Sequence, residues 1–186
     1  MRFNYQNLRE FKLPRDFRGR HFLFVQLWWF VQATFFKMSP QFAYRFRAYI
    51  LRLFGASIGK HTVIRPSVRI TYPWKVKIGD YVWIGDYAEL YSLGEIVIQD
   101  NAVVSQHTYL CGGDHDYTSC DFSIRAGKIV IGEQAWLAAD VFVAPGVFIG
   151  EGAVIGARSA VFRDMPAGMI CKGNPCEPIK PRKLKN

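Results

Sequence analysis

The 186-residue chain is half hydrophobic and carries 24 Lys and Arg against 15 Asp and Glu. That is enough apolar material for one buried core, and it excludes a disordered or low-complexity chain. The charge is divided: residues 1–77 hold 15 basic and 2 acidic side chains, residues 78–164 hold 4 and 12, which excludes a uniformly basic nucleic-acid binder and points the basic ends at an anionic surface or ligand.

The first twenty residues are polar and basic with no apolar run, so no signal peptide is expected. Cys111, Cys120, Cys171 and Cys176 form no CxxC pair and no disulfide framework. Reduced thiols and a cytoplasmic location follow as the expectation. Residues 22–36 read FLFVQLWWFVQATFF without a charge. As a helix this stretch is roughly 22 Å long at about 1.5 Å per residue, short of the roughly 30 Å that a bilayer core needs. Two readings remain open: it packs on the rest of the protein, or it lies in an anionic membrane interface with Trp28, Trp29, Arg18, Arg20 and Lys37. Residues 1–54 are read as a basic, aromatic, helical N-terminal cap.

From Ile58 an aliphatic residue recurs every six positions: Ile58, Ile64, Ile70; Ile78, Ile84, Leu90; Ile98, Val104, Leu110; Ile131, Leu137, Val143; Ile149, Ile155, Val161. Glycine follows six of these slots directly. A period of six fits neither a helix nor a run of hairpins. It fits one short strand per hexapeptide and three strands per triangular coil. Residues 55–170 are therefore expected to form a mainly β parallel β-helix of about five coils. The aliphatic side chains point inward, and Ala88, Ala102, Ala135 and Ala153 share the narrow interior. Gly or Asp near each corner is expected to let the chain turn. Residues 171–186 are read as a basic C-terminal tail.

The interruptions carry information. The step is eight between Ile70 and Ile78 and between Leu90 and Ile98, so one corner swells in successive coils. Between Leu110 and Ile131 about fifteen residues leave the coil, expected at 116–130. Excursions from a rigid scaffold are where function tends to sit.

The excursion SQHTYLCGGDHDYTS, the run AWLAADVFVAPGVFIGEGAVIGARSAV and the closing GNPCEPIK resemble the hexapeptide acyltransferases. RPSVRITYPWKVKIGDYVWIGDYAELYSLGEI and QLWWFVQATFF are similar to the O-acetyltransferases of colanic-acid and other exopolysaccharide synthesis. The likeness covers residues 20–180. It implies a left-handed coil and a homotrimer with each active site in a groove between two prisms. It also implies acetyl-CoA as donor, a sugar or lipid-linked oligosaccharide as acceptor, and no metal. In this reading His115, within GGDHDYT, is the general base, and no covalent enzyme intermediate forms. Chemistry agrees, because a neutral imidazole can take the proton of a weakly nucleophilic hydroxyl. A backbone N–H of Gly112 or Gly113 is the expected oxyanion donor.

An uninterrupted spacing of 18 is expected to stack Ala139, Ala157 and Pro175 at one corner, leaving backbone open to a chain-like ligand. By resemblance Trp136, Ala139, Ala157, Arg163 and Lys180 contact the coenzyme. Tyr91, Ser92 and Glu95 at the swollen corner and Asp116 beside His115 are the expected acceptor contacts. Glu95 and Asp116 are also candidates to orient His115. The amide–carboxylate pair that related sugar acetyltransferases use is not reproduced, and His107 stands where the family usually has a small residue. Two rival readings are a zinc carbonic-anhydrase-like enzyme using His61, His107 and His115, and a non-catalytic scaffold.

Overall fold

A computed structural model describes residues 5–185. Its body is a triangular prism of parallel coils. The first face stacks Ser57–Ile58, Val76–Ile78, Ile96–Ile98, Ile129–Ile131 and Phe148–Ile149. The second stacks Val63–Ile64, Trp83–Ile84, Val103–Val104, Trp136–Leu137, Val154–Ile155 and Met169–Lys172. The third stacks Arg69–Ile70, Glu89–Tyr91, Tyr109–Cys111, Phe142–Val143 and Ala160–Val161. All fifteen aliphatic slots are buried, as are Ala88, Ala102, Ala135 and Ala153. One continuous core runs the length of the prism. It supplies the apolar burial that holds short, two- to four-residue strands together.

Glycine and aspartate turn some corners as expected, Gly152 at φ +63° and Asp140 at φ +59°, but larger residues turn most of them. Two corners carry ladders of left-handed residues: His61, Tyr81, Asn101 and Gln134 at one, Tyr87, His107, Asp140 and Arg158 at the other. In each ladder one residue's N–H reaches the carbonyl of the coil before it, as Asn101 does to Asp80 and Asp140 to Gln106. The glycines that follow the aliphatic slots serve close stacking instead. A Cβ on Gly85 would stand 2.6 Å from the Gln106 nitrogen, and one on Gly132 2.7 Å from that of Glu151.

The prism continues past five coils, with a shortened step. Met165 bridges to Ile149 and Cys171 pairs with Ile155, sixteen residues on instead of eighteen. The chain then folds back as Glu177–Pro181, antiparallel to Met169–Lys172. The stretch that sequence alone reads as a tail thus closes the far end.

The near end is closed by side chains. Helix α1 (Phe22–Val31) runs through a π turn (Gln32–Phe36) and joins helix α2 (Tyr44–Leu53). Gly55, at φ +87°, ends α2. Val25 and Trp28 of α1, Phe36, and Leu51 of α2 are buried, and all but Val25 belong to the prism core. The first coil donates its N–H groups to the second, as from Gly59 to Ile78 and from Val63 to Val82. That leaves first-coil carbonyls facing off the edge, where an open strand edge invites unwanted pairing. Each face receives one side-chain donor. Arg52 caps Ile58 O at 2.8 Å, Arg47 caps Ile64 O at 2.6 Å, and Trp28 Nε1 caps Ile70 O at 2.8 Å. The apolar segment thus packs on the prism through Val25, Trp28 and Phe36. Among the described residues no helix is long and apolar enough to cross a membrane. Yet α1 leaves Phe22, Leu23, Leu27 and Phe30 exposed, and Phe35, Met38 and Phe42 follow suit.

Candidate active site

The excursion is a hairpin. Gly113–His115 pairs antiparallel with Ile124–Ala126, with His115 opposite Ile124. It departs earlier than the expected 116–130 and returns earlier: Ile129 and Val130 are already in the first face, paired with Ile96 and Val97. Val76, Ile96 and Ile129 are all buried, so the first-face strands of these coils each carry an extra inward residue.

The hairpin stands on the swollen corner. In the first coil that corner is a short 3-10 turn, Pro73–Lys75. In the second it is Tyr91–Ser92–Leu93–Gly94. The layers are tied by backbone bonds: Gly94 N–H to Gly112 O, Gly112 N–H to Tyr91 O, and Gly127 N–H to Gly112 O, at 2.8–3.1 Å. Lys75 Nζ donates to Leu93 O and Phe17 O. Burial pushes its pKa down. The two extra residues per coil thus build a base for the third coil's hairpin.

His115 is half-buried. Its ring lies parallel to Phe122, with centroids 4.2 Å apart and planes 7° apart, and Phe11 of the N-terminal arm packs at 5.9 Å. Its Nδ1 is 2.8 Å from Phe122 O. A carbonyl only accepts, so that bond assigns the proton to Nδ1 and leaves the Nε2 lone pair basic. The same carbonyl steadies the imidazolium once Nε2 takes a proton. Phe122 sits at φ +51°, a strained setting for a bulky residue, at about 1–3 kcal/mol. The backbone carbonyl of Phe122 therefore orients His115, a partner that sequence reading misses because no side chain announces it. Phe11 was equally illegible, being more than a hundred positions away. Asn7 N–H reaches Cys120 O at 2.8 Å, so the arm also clasps the hairpin tip.

Several expected contacts have other engagements. Asp116 accepts from Thr118 N and Oγ1 at 2.9 and 2.6 Å, which holds its carboxyl below its ordinary pKa. The hydrogen bond at His115 Nδ1 runs to Phe122 O and not to this carboxylate. Ser92 has no exposed surface, and its hydroxyl both accepts from Tyr72 N–H and donates to Tyr72 O. It is a tie between the first two layers of the corner and is closed to an acceptor. Glu95 is held between Lys77 at 2.6 Å and Lys128 at 2.9 Å, which draws its pKa down. Gly112 donates its N–H to Tyr91, so Gly113 is the remaining glycine for the oxyanion role. Tyr91 is half-buried beside the hairpin root, where it pairs with Cys111.

The other group of residues gathers elsewhere. Ala139 and Ala157 follow strands Trp136–Leu137 and Val154–Ile155, which pair at a step of eighteen, so both lie at the corner between the second and third faces. Trp136 is 45% exposed and donates Nε1–H to Ser105 Oγ at 3.0 Å. Lys180 joins the same outward row through its pairing with Ile170. Pro175 does not stack on Ala157, because the sixth coil's step is sixteen and brings Gly173 to that level; Pro175 lies beyond it in a turn. Arg163 is paired with Glu177.

The three candidate zinc histidines stand apart. His61 stacks on Tyr81 at one corner, His107 on Tyr87 at the next, and His115 stands on the hairpin at the third. Among the described residues no three metal-ligating side chains are grouped.

No protein-family model matches the chain. It is 59% identical over 177 residues to an Escherichia coli K12 protein named "Putative colanic acid biosynthesis acetyltransferase WcaF", covering 95% of this chain and 97% of that one. Its fold matches a galactoside acetyltransferase in complex with coenzyme A, with a TM-score of 0.81 at 21% identity, covering 92% of this chain and 85% of that one. It also matches a hexapeptide-repeat acetyltransferase of Vibrio cholerae O1 biovar eltor complexed with acetyl-CoA, with a TM-score of 0.79 at 20% identity, covering 87% and 88%. At such identities the two structures speak for the coil alone. The prism, the six-residue period and the close relative together place the chain in the hexapeptide-repeat, left-handed β-helix acetyltransferase family, in the branch of the colanic acid biosynthesis acetyltransferases.

Proposed function

We propose that the protein moves the acetyl group of acetyl-CoA to a sugar hydroxyl in exopolysaccharide or lipid-linked oligosaccharide synthesis, with His115 as general base. The observation that carries this is the Phe122 carbonyl on Nδ1, which leaves Nε2 free to act. His115 Nε2 takes the hydroxyl proton as the sugar oxygen attacks the thioester carbon. The new C–O bond forms, the C–S bond breaks, and the imidazolium returns its proton to the departing thiolate. Acetyl-CoA suits the strip at Ala139 and Ala157, where two stacked residues carry nothing beyond Cβ. Trp136 and Lys180 border that strip, while Arg163 is drawn away to Glu177.

The working unit in this reading is a homotrimer. Support comes from the placement of the two groups. The His115 hairpin rises from the corner between the third and first faces, and Ala139 and Ala157 lie at the corner between the second and third. One chain therefore holds the base and the coenzyme strip on different edges, and a neighbouring copy brings them together. The outward row of the second face is apolar from the first coil to the fifth, at Val63, Trp83, Val103, Trp136 and Val154, with Trp83 58% exposed. The exposed helical face, in a stretch with no acidic residue between Asp16 and Asp80, suits peripheral contact with an anionic membrane.

A transfer assay with acetyl-CoA against free, nucleotide-linked and lipid-linked sugars tests the reaction. His115→Ala is expected to lose about 10²–10⁴-fold in turnover with acetyl-CoA binding retained. Near-normal turnover overturns the role. Mixing His115→Ala with a strip-blocked Ala157→Trp protein is expected to restore part of the activity, since mixed trimers contain intact grooves. No restoration after subunit exchange argues against a shared site.

A further inference from the structure

We propose that the cleft between the helical cap and the third face is a saccharide subsite for an anionic sugar unit of the acceptor, separate from the unit that is acetylated. The proposal rests on His115 marking the reaction centre.

The cleft measures about 600 Å³, within the roughly 300–1,000 Å³ of small-molecule sites. Trp29 and Lys37 of the cap form one wall, Arg69 and its strand the floor, and Tyr87, Glu89 and Tyr91 of the second coil the far side. Trp29 and Tyr87 are 39% and 63% exposed. Tyr87 stacks on His107 with planes 12° apart, which holds the ring flat at the corner. Flat aromatic faces bordered by a few charged groups match the C–H faces and hydroxyls of a pyranose. Two cations face one carboxylate. Arg69 is 73% exposed and pairs loosely with Glu89 at 3.6 Å. Lys37 is exposed. The surplus positive charge selects a sugar carrying a carboxylate or a phosphate.

The cleft leads to the hairpin. Tyr91 lines its inner end, pairs with Cys111 and accepts the Gly112 N–H. Two residues past Gly113 the same chain reaches His115. Tyr91 and Ile124, the residue opposite His115, also pack into one small cluster around Leu93 and Tyr72. An acceptor seated along the third face thus presents its next unit to the hairpin root.

The test is equilibrium binding to the full-length protein without acetyl-CoA. Three probes are used: a neutral oligosaccharide, a uronate-containing oligosaccharide of equal length, and a glycosyl phosphate. One anionic probe is expected to bind about tenfold tighter than the neutral one, a step of about 1.4 kcal/mol, and which one it is identifies the source of the charge. Arg69→Gln and Tyr87→Asn are each expected to weaken that binding about tenfold. Asn tolerates the φ of +58° at position 87. In turnover both should raise KM for the anionic acceptor while kcat holds. Equal binding of all three probes, or unchanged affinity in both variants, overturns the subsite. His115→Gln separates the two readings: it should bind the saccharide normally and fail to acetylate it. Normal transfer by that variant would sink the reaction-centre reading and leave the binding result standing.

Discussion

Arg47 is fully buried, and its guanidinium donates to Ile64 O at 2.6 Å, Ser39 Oγ and Pro40 O at 2.8 Å, and Gln41 O at 2.7 Å. Burial lowers its pKa, which shows that the site costs the charge something. Replacing it with Ala leaves two buried acceptors, Ile64 O and Ser39 Oγ, without donors. Each costs about 1–3 kcal/mol, while the two part-buried carbonyls regain water. Relief of the buried charge offsets some of this, so a net loss of about 3 kcal/mol is expected. Arg47→Met fills most of the volume without restoring a donor, and should lose nearly as much. Because each coil touches only its neighbours, the damage should be local. Amide exchange at Gly59, Val63 and Arg65 should rise about a hundredfold, as about 3 kcal/mol implies, while the fourth and fifth coils hold. Recovery of stability by Met to within about 1 kcal/mol, or uniform loss of protection along the prism, would refute the view that Arg47 acts by capping an open carbonyl.

Exchanging Phe30 and Phe35, both 60% exposed, for Ser should leave the fold intact and abolish cosedimentation with anionic vesicles; undiminished binding removes the membrane role from this face. Glu95 has a folded pKa below its unfolded value of about 4.3, depressed first by hydrogen bonds from Lys77 and Lys128. Its contribution is therefore full above about pH 4.3 and lost as pH falls through the folded value. Glu95→Gln should flatten the acid limb of a urea-midpoint titration, and identical limbs would show that the two lysines do not stabilise the hairpin return.

The coil was legible because every slot at six-residue spacing from Ile58 to Val161 carries an aliphatic side chain and lies inside. The sixth coil was not, because Met165 and Cys171 fill its slots at a shortened step. His115 could be picked out as the histidine nearest the one long excursion. Its orienting partner could not, since a backbone carbonyl has no letter of its own. Ser92 misled for the opposite reason: a polar letter at a swollen corner suggests a contact, and here it joins two layers of backbone. The edge caps were hidden in plain composition, because nothing distinguishes Arg47 or Arg52 from the other basic residues of the N-terminus until the first coil's carbonyls are seen.

The corner that carries the hairpin has a further property. Two residues are inserted there in each of the first two coils and about fifteen in the third, yet Ile129 resumes its pairing with Ile96, and Val143 with Leu110, without a slip. Apart from the one extra inward residue per coil, at Val76, Ile96 and Ile129, length added at a vertex points away from the axis. The tip around Tyr117 and Thr118 is exposed, so a loop of another length or sequence could be grafted there to change what meets His115 while Phe122 still orients it and the prism keeps its register.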